Sequence, residues 1–230
     1  MAKRRSKKFS GRRSAWLALG LVVVLVGGFF AYHHLDGFVH QGTHDKVLVK
    51  APVDRVDPAN DAQHVEVTGL LASGGAVRDP QLGVSARAAV LLRDAEMLQW
   101  QERCSGENCS YDKVWSRSAI DSHAFKHPEG HQNPPLRLAG AKFDAPELRL
   151  GAYGVDPALL ESQLKPTDLP VRAADLPPNL AASFSERDGV LYAGGDPAHP
   201  DVGTVRVRYR TLPLSTVTLQ GVQKGKRLTF

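Results

Sequence analysis

Nineteen consecutive residues without a charge, 14–32, follow a start of thirteen residues that carries seven cations. The run reads SAWLALGLVVVLVGGFFAY, after Lys3, Arg4, Arg5, Lys7, Lys8, Arg12 and Arg13. At ~1.5 Å per residue a helix of this length spans roughly 28 Å, close to the hydrocarbon core of a bilayer. Trp16 and Tyr32 stand near its ends, where amphipathic rings settle at the headgroup level. The expectation is one transmembrane helix over 14–32. Its basic tail, 1–13, stays in the cytoplasm because Lys and Arg resist translocation. A juxtamembrane linker, 33–44, and a non-cytosolic body, 45–230, follow on the far side.

Two rivals fit less well. A cleaved signal peptide needs small residues at its cleavage site, and the exit through Phe29, Phe30, Ala31, Tyr32, His33 and His34 offers none. A buried core helix would show a polar face, which this run lacks.

The net charge of +5 belongs to the tail. Removing its seven cations from the 29 Lys and Arg leaves 22 against all 24 Asp and Glu, a net of −2. The lipid bilayer is therefore the expected partner of the tail, and nucleic acid is not an expected partner of the body. His33, His34, His40 and His44 read as a solvated linker. A pH-sensitive or metal-binding patch is the alternative there.

Both cysteines lie in Cys104-Ser-Gly-Glu-Asn-Cys109. An oxidising compartment favours a disulfide over two free thiols, and a metal site would need further ligands, none of them adjacent. The flanks, 96–103 and 111–118, read as two strands joined by a Ser-Gly-Glu-Asn turn. Asn108-Cys109-Ser110 is a formal glycosylation sequon, relevant only in a eukaryotic host.

Strand patterns also occupy 46–49, 64–71, 86–93, 147–152, 189–192, 203–211, 215–221 and 227–230. Val205, Val207 and Tyr209 alternate with Arg206, Arg208 and Arg210, giving one apolar face and one guanidinium stripe, which reads as solvated. Asp156-Pro157 starts a helix over 157–164 that stops before Pro166. The expected class is α+β, mostly antiparallel β, preceded by the transmembrane helix.

No catalytic constellation emerges. Glu96 and Glu102 lie roughly 20 Å apart along one strand face, too far for a paired acid–base site. Cross-strand bonds, or ion pairs with Arg93 or Arg103, suit them better. Met97 and Trp100 fall on opposite faces. His123, His127 and His131 are spaced by four, but Pro128 and Gly130 break any helix that would align them as ligands. Ser73-Gly74-Gly75 and Gly194-Gly195-Asp196 are turns, without the strand–loop–helix setting of a phosphate loop. No cofactor and no metal is expected.

One ordered set of motifs carries a resemblance. Arg93, Glu96, Met97, Gln99, Trp100 and Glu102 stand in one run, Tyr111 and Trp115 in the strand after it, and His131-Gln-Asn133-Pro134 in a turn. Asp57-Pro58 with Asn60, Asp79-Pro80 with Gly83-Val84, and Gly195-Asp196-Pro197 with Asp201-Val202-Gly203-Thr204-Val205 flank them. Over roughly residues 45–230 the chain resembles the transmembrane protein 43 (LUMA) family. The resemblance implies an integral membrane protein with an N-terminal span, a large non-cytosolic domain and further spans beyond it. Animal members are linked to the endoplasmic reticulum and inner nuclear membrane, with lamins and emerin as partners. Abundant Ala, Arg, Gly and Pro suggest a bacterial member and a periplasmic body. The chain ends where the family continues, so it reads as a short member or a fragment. Cys104 and Cys109 are not part of the family pattern.

The resulting expectation is a membrane-anchored interaction or scaffold module, not an enzyme, that organises membrane or envelope proteins, with homo-oligomerisation left open. The alternative is a ligand-binding or metal-dependent enzyme with its site in the loop 121–141.

Overall fold

The computed structural model describes residues 48–230. The expected transmembrane helix 14–32, the tail 1–13 and the whole linker 33–44, with His33, His34, His40 and His44, lie outside the described residues. Among the described residues no helix is long and apolar enough to cross a membrane.

The α+β expectation is corrected: the body is mostly β. Fifteen strands are described, against one helix of seven residues and one of four. In chain order the strands are β1 (Val49–Lys50), β2 (His64–Ala72), β3 (Val77–Arg78), β4 (Ser85–Ala86) and β5 (Ala88–Ser105). Next come β6 (Asn108–Ser116), β7 (Ala141–Asp144), β8 (Arg149–Leu150), β9 (Tyr153–Val155) and β10 (Thr167–Leu169). The last five are β11 (Phe184–Arg187), β12 (Val190–Ala193), β13 (Val205–Pro213), β14 (Thr216–Lys224) and β15 (Arg227–Thr229).

The helix expected at Asp156-Pro157 does form, as α1 (Pro157–Gln163), with the Asp156 side chain accepting from the Ala158 amide. It is real but contributes no helical layer, and α2 (Pro178–Ala181) is a single turn. That is why the class shifts.

Strands β2, β14, β15, β9 and β8 pair in that order, and β8 pairs back onto β2, closing a small barrel. Closure leaves few sheet edges open to water. β1 joins β2 in parallel, Val49 opposite Val65. The second sheet runs β11-β12-β13-β5-β6, with β10 on β13 and β7 on β5. The chain crosses from this sheet to the barrel between Pro213 and Thr216. Alternate residues of β2, β14, β5 and β13 (Val65, Val67, Leu219, Ala95, Met97, Val207) are fully or almost fully buried in one continuous core. At 25 cal/mol per Å² such burial supplies the main driving force for folding.

β5 organises the second sheet. The patterns at 86–93 and 96–103 are one eighteen-residue strand. Its first half pairs with β13 on one edge and β7 on the other, and its second half with β6. The turn to β6 is shorter than the four residues expected, since Ser105 pairs with Asn108. Gly106 takes φ +62°, the sign that two-residue hairpin turns require. Cys104 sits directly opposite Cys109, and the two form a disulfide.

Candidate functional site

The residues on which the resemblance was read gather on the β5–β6 hairpin and the loop 117–140 that follows it. From Leu91 to Gln99 the odd positions of β5 face the core, and Glu96, Trp100 and Glu102 face outward. Met97 and Gln99 are buried, whereas Glu96, Trp100 and Glu102 are half-buried on the outer face.

Beyond Leu98, β13 no longer covers the edge of β5, and the loop takes its place. The Trp100 amide donates to Asn133 Oδ1 at 2.7 Å, and Asn133 Nδ2 donates to the Trp100 carbonyl at 2.9 Å. One side-chain amide thus substitutes for a missing strand. Asn133 Nδ2 also reaches the Ile120 carbonyl, and its amide donates to Ser122 Oγ. Gln99, fully buried, holds the loop from the other face. Its Nε2 donates to the Ser118 carbonyl, and its Oε1 accepts from the Ile120 amide. Buried amides left unpaired would cost several kcal/mol; here both ends are used.

Glu102 and Tyr111 form the outer clasp. The Tyr111 hydroxyl donates to Glu102 Oε1 at 2.6 Å, and the same oxygen accepts from the Lys126 amide at 2.7 Å. The His127 amide donates to the Tyr111 hydroxyl. The hydrogen bond from Tyr111 is the chief cause that holds the Glu102 carboxyl below the ordinary glutamate range. Tyr111 is pushed up, first by desolvation and then by the bond to Glu102. The His131 ring stacks on Tyr111 at 3.8 Å and meets Trp100 edge-on at 4.8 Å. Pro134 completes the fastening. A Cβ on Gly203, whose φ is +96°, would lie 3.0 Å from Pro134 Cγ. The two motifs pack against each other, and Gly203 has to be glycine.

The expected ion pairs of Glu96 with Arg93 or Arg103 do not form. Glu96 Oε2 accepts from Arg206 Nε at 2.7 Å, and Asp94 Oδ2 from Arg210 Nε at 2.8 Å. Arg117 reaches towards both carboxylates. The guanidinium stripe is therefore largely neutralised by the neighbouring strand rather than simply solvated. Arg208 is the member that makes no ion pair among the described residues. The Arg206 guanidinium also lies over Trp115, 4.3 Å from the ring centroid. Tyr192 approaches Trp115 edge-on.

His123, His127 and His131 do not converge with a carboxylate on one point. The group of potential ligand atoms found among the described residues is Glu102 with Cys104 and Cys109, and both sulfurs are committed to the disulfide.

Sequence reasoning missed a buried polar centre. Arg93 Nη1 donates to Asp79 Oδ2 at 2.7 Å with both side chains almost wholly buried. The Tyr209 hydroxyl donates to the same oxygen at 2.6 Å, and burial drives its pKa well above the usual phenol value. Arg93 further donates to the Ala139 carbonyl and to Gln81 Oε1. Asp79 Oδ1 accepts from the Gln81 and Leu82 amides, which closes the turn between β3 and β4. The signal was present: an arginine stands in phase with Ala95 and Met97 on the apolar face.

Residues 97–230 match the family model described as Transmembrane protein 43, and the chain belongs to that family. Transmembrane protein 43 of Rattus norvegicus is 27% identical over 208 residues, covering 79% of this chain and 51% of that protein. The Homo sapiens protein of that name is 26% identical over 206 residues, with the same coverage. The chain spans about half the length of the curated relatives it matches. No solved structure matches it.

Proposed function

We propose that the chain is a membrane-tethered interaction module that organises membrane or envelope proteins through the outer face of the β5–β6–β13 sheet, acting by binding and not by catalysis. The observation that carries this is the composition of that face. Trp100, Trp115, Tyr192 and Arg206 are each half-buried and held in place by stacking or ion pairing. Trp, Tyr and Arg are the residues that most often dominate binding energy at protein interfaces. Rigid, pre-ordered side chains lose little entropy on docking.

Residues 14–32 are the proposed tether, with the tail 1–13 cytoplasmic and the body on the other side. The relatives' name, transmembrane protein 43, supports membrane residence. The alternative site in the loop 121–141 is less well supported. Its Asn133, His131 and backbone amides are spent on fastening the loop.

The test is affinity capture of the full chain from mild detergent, wild type beside Trp115→Ala and Arg206→Ala. Loss of a specific bound protein in both variants, with unchanged melting temperature, is expected. Retention of every bound protein in both would contradict the proposal.

A further inference from the structure

The barrel wall places three cations in one cleft. In cross-strand register Arg149 of β8 lies opposite Gly154 of β9, Gly154 opposite Arg227 of β15, and Arg227 opposite Lys224 of β14. Residues in one such row share a face. The intervening residues Leu150, Tyr153, Val155 and Leu228 point inward and are buried, so this row points out. Arg149, Lys226, Arg227 and Gly154, together with Glu147 and Pro157, line a cleft of about 470 Å³.

Gly154 is not explained by its backbone. Its φ is not left-handed, and a Cβ there would meet Arg227 Cγ at 3.6 Å and the Lys226 carbonyl at 3.7 Å, which is ordinary contact. A glycine inside a strand weakens it and often marks a place where a ligand approaches closely. Here it opens a notch between two guanidinium groups. Among the described residues Arg149, Lys226 and Arg227 make no ion pair, and Glu147 stays beyond ion-pair distance of them. The contrast with Arg206 and Arg210, both bonded to carboxylates, is direct.

We propose that this cleft is an anion site for a phosphate-bearing ligand, seated in the Gly154 notch between Arg149 and Arg227. Planar guanidinium groups grip phosphate oxygens in pairs, and Lys226 adds a third positive charge. The ligand is either a free phosphate group or the headgroup of an anionic phospholipid, which share this chemistry. The site is on the barrel and does not depend on the sheet-face reading above. Because its cations are exposed, binding weakens as salt rises.

The experiment titrates the full chain, held in a neutral detergent at about 20 mM salt, with inorganic phosphate and separately with dihexanoyl phosphatidylglycerol. Calorimetry reads the binding. Saturable binding is expected, weakened roughly tenfold in the double variant R149Q/R227Q. Gly154→Val keeps every charge, fills the notch and is expected to weaken binding at least about threefold. Tighter binding of the lipid than of inorganic phosphate assigns the headgroup, and equal or weaker binding assigns the free anion. No saturable binding of either probe, or binding unchanged in both variants, overturns the site.

Discussion

Asn133 is bonded to both main-chain groups of Trp100, accepting from its amide at 2.7 Å and donating to its carbonyl at 2.9 Å. The pair closes the edge of β5 that no strand covers. It also joins a turn and a strand thirty-three residues apart as two halves of one contact. Asn133→Leu removes both bonds and leaves the Trp100 groups facing an apolar side chain. A loss of about 2–3 kcal/mol is expected, read as a lower midpoint in denaturant with the slope unchanged.

Arg93 and Asp79 form a buried ion pair. Arg93→Met alone strands the Asp79 charge and should cost about 3–5 kcal/mol. For a domain of this size that lowers the melting temperature by on the order of 10 °C. The double variant with Asp79→Asn removes the unpaired charge yet keeps an oxygen for the Gln81 and Leu82 amides, and should recover part of the loss. Calorimetric scans of the three proteins check the order.

Glu102 gives the hairpin a pH dependence with a definite sign. Its folded pKa is held below the ordinary value of 4.5, first by the Tyr111 hydroxyl. The contribution is thus fully present above that ordinary value and is lost as pH falls through the depressed folded value. Amide NMR of Lys126, whose N–H donates to Glu102, should titrate with a midpoint below 4.5. Glu102→Gln should abolish that transition.

The Cys104–Cys109 bridge closes a short loop at an exposed hairpin end. Reduction, or Cys104→Ser with Cys109→Ser, should cost only about 2 kcal/mol. Circular dichroism before and after reduction should show the body still folded, with fraying confined to the hairpin end.

The long strands were legible because alternation is local. Val205, Val207 and Tyr209 announced their inward face, and the hairpin register followed from two strand patterns around a turn. β5 was read as two strands because Asp94 breaks its pattern. Arg210 offsets that charge from 116 residues away, which no local window contains. The barrel escaped for the same reason. The patterns at 147–152 and 227–230 announced β8 and β15, but β9 has only three residues and its parallel pairing with β15 joins positions 73 residues apart. The helix at Asp156 was correctly placed, but a local cap says nothing about whether a helical layer exists.

The outer face of the β5–β6–β13 sheet was partly visible. Trp100, Trp115 and Glu96 could be placed on the outer side by counting, yet the Arg206–Glu96 and Arg206–Trp115 contacts depend on strand order. So does the Arg149–Gly154–Arg227 row, in which β9 pairs locally with β8 but also with β15, 73 residues further on.

Hydrogen–deuterium exchange on the intact chain asks most simply whether the loop is part of the sheet. The amides of Trp100, Ile120, Lys126, His127 and Asn133 each donate to a named acceptor. They should exchange as slowly as those of β5 and β6, and Asn133→Leu should release them together. Exchange at the rate of an unstructured peptide in the unaltered chain would mean that these residues do not fasten the loop.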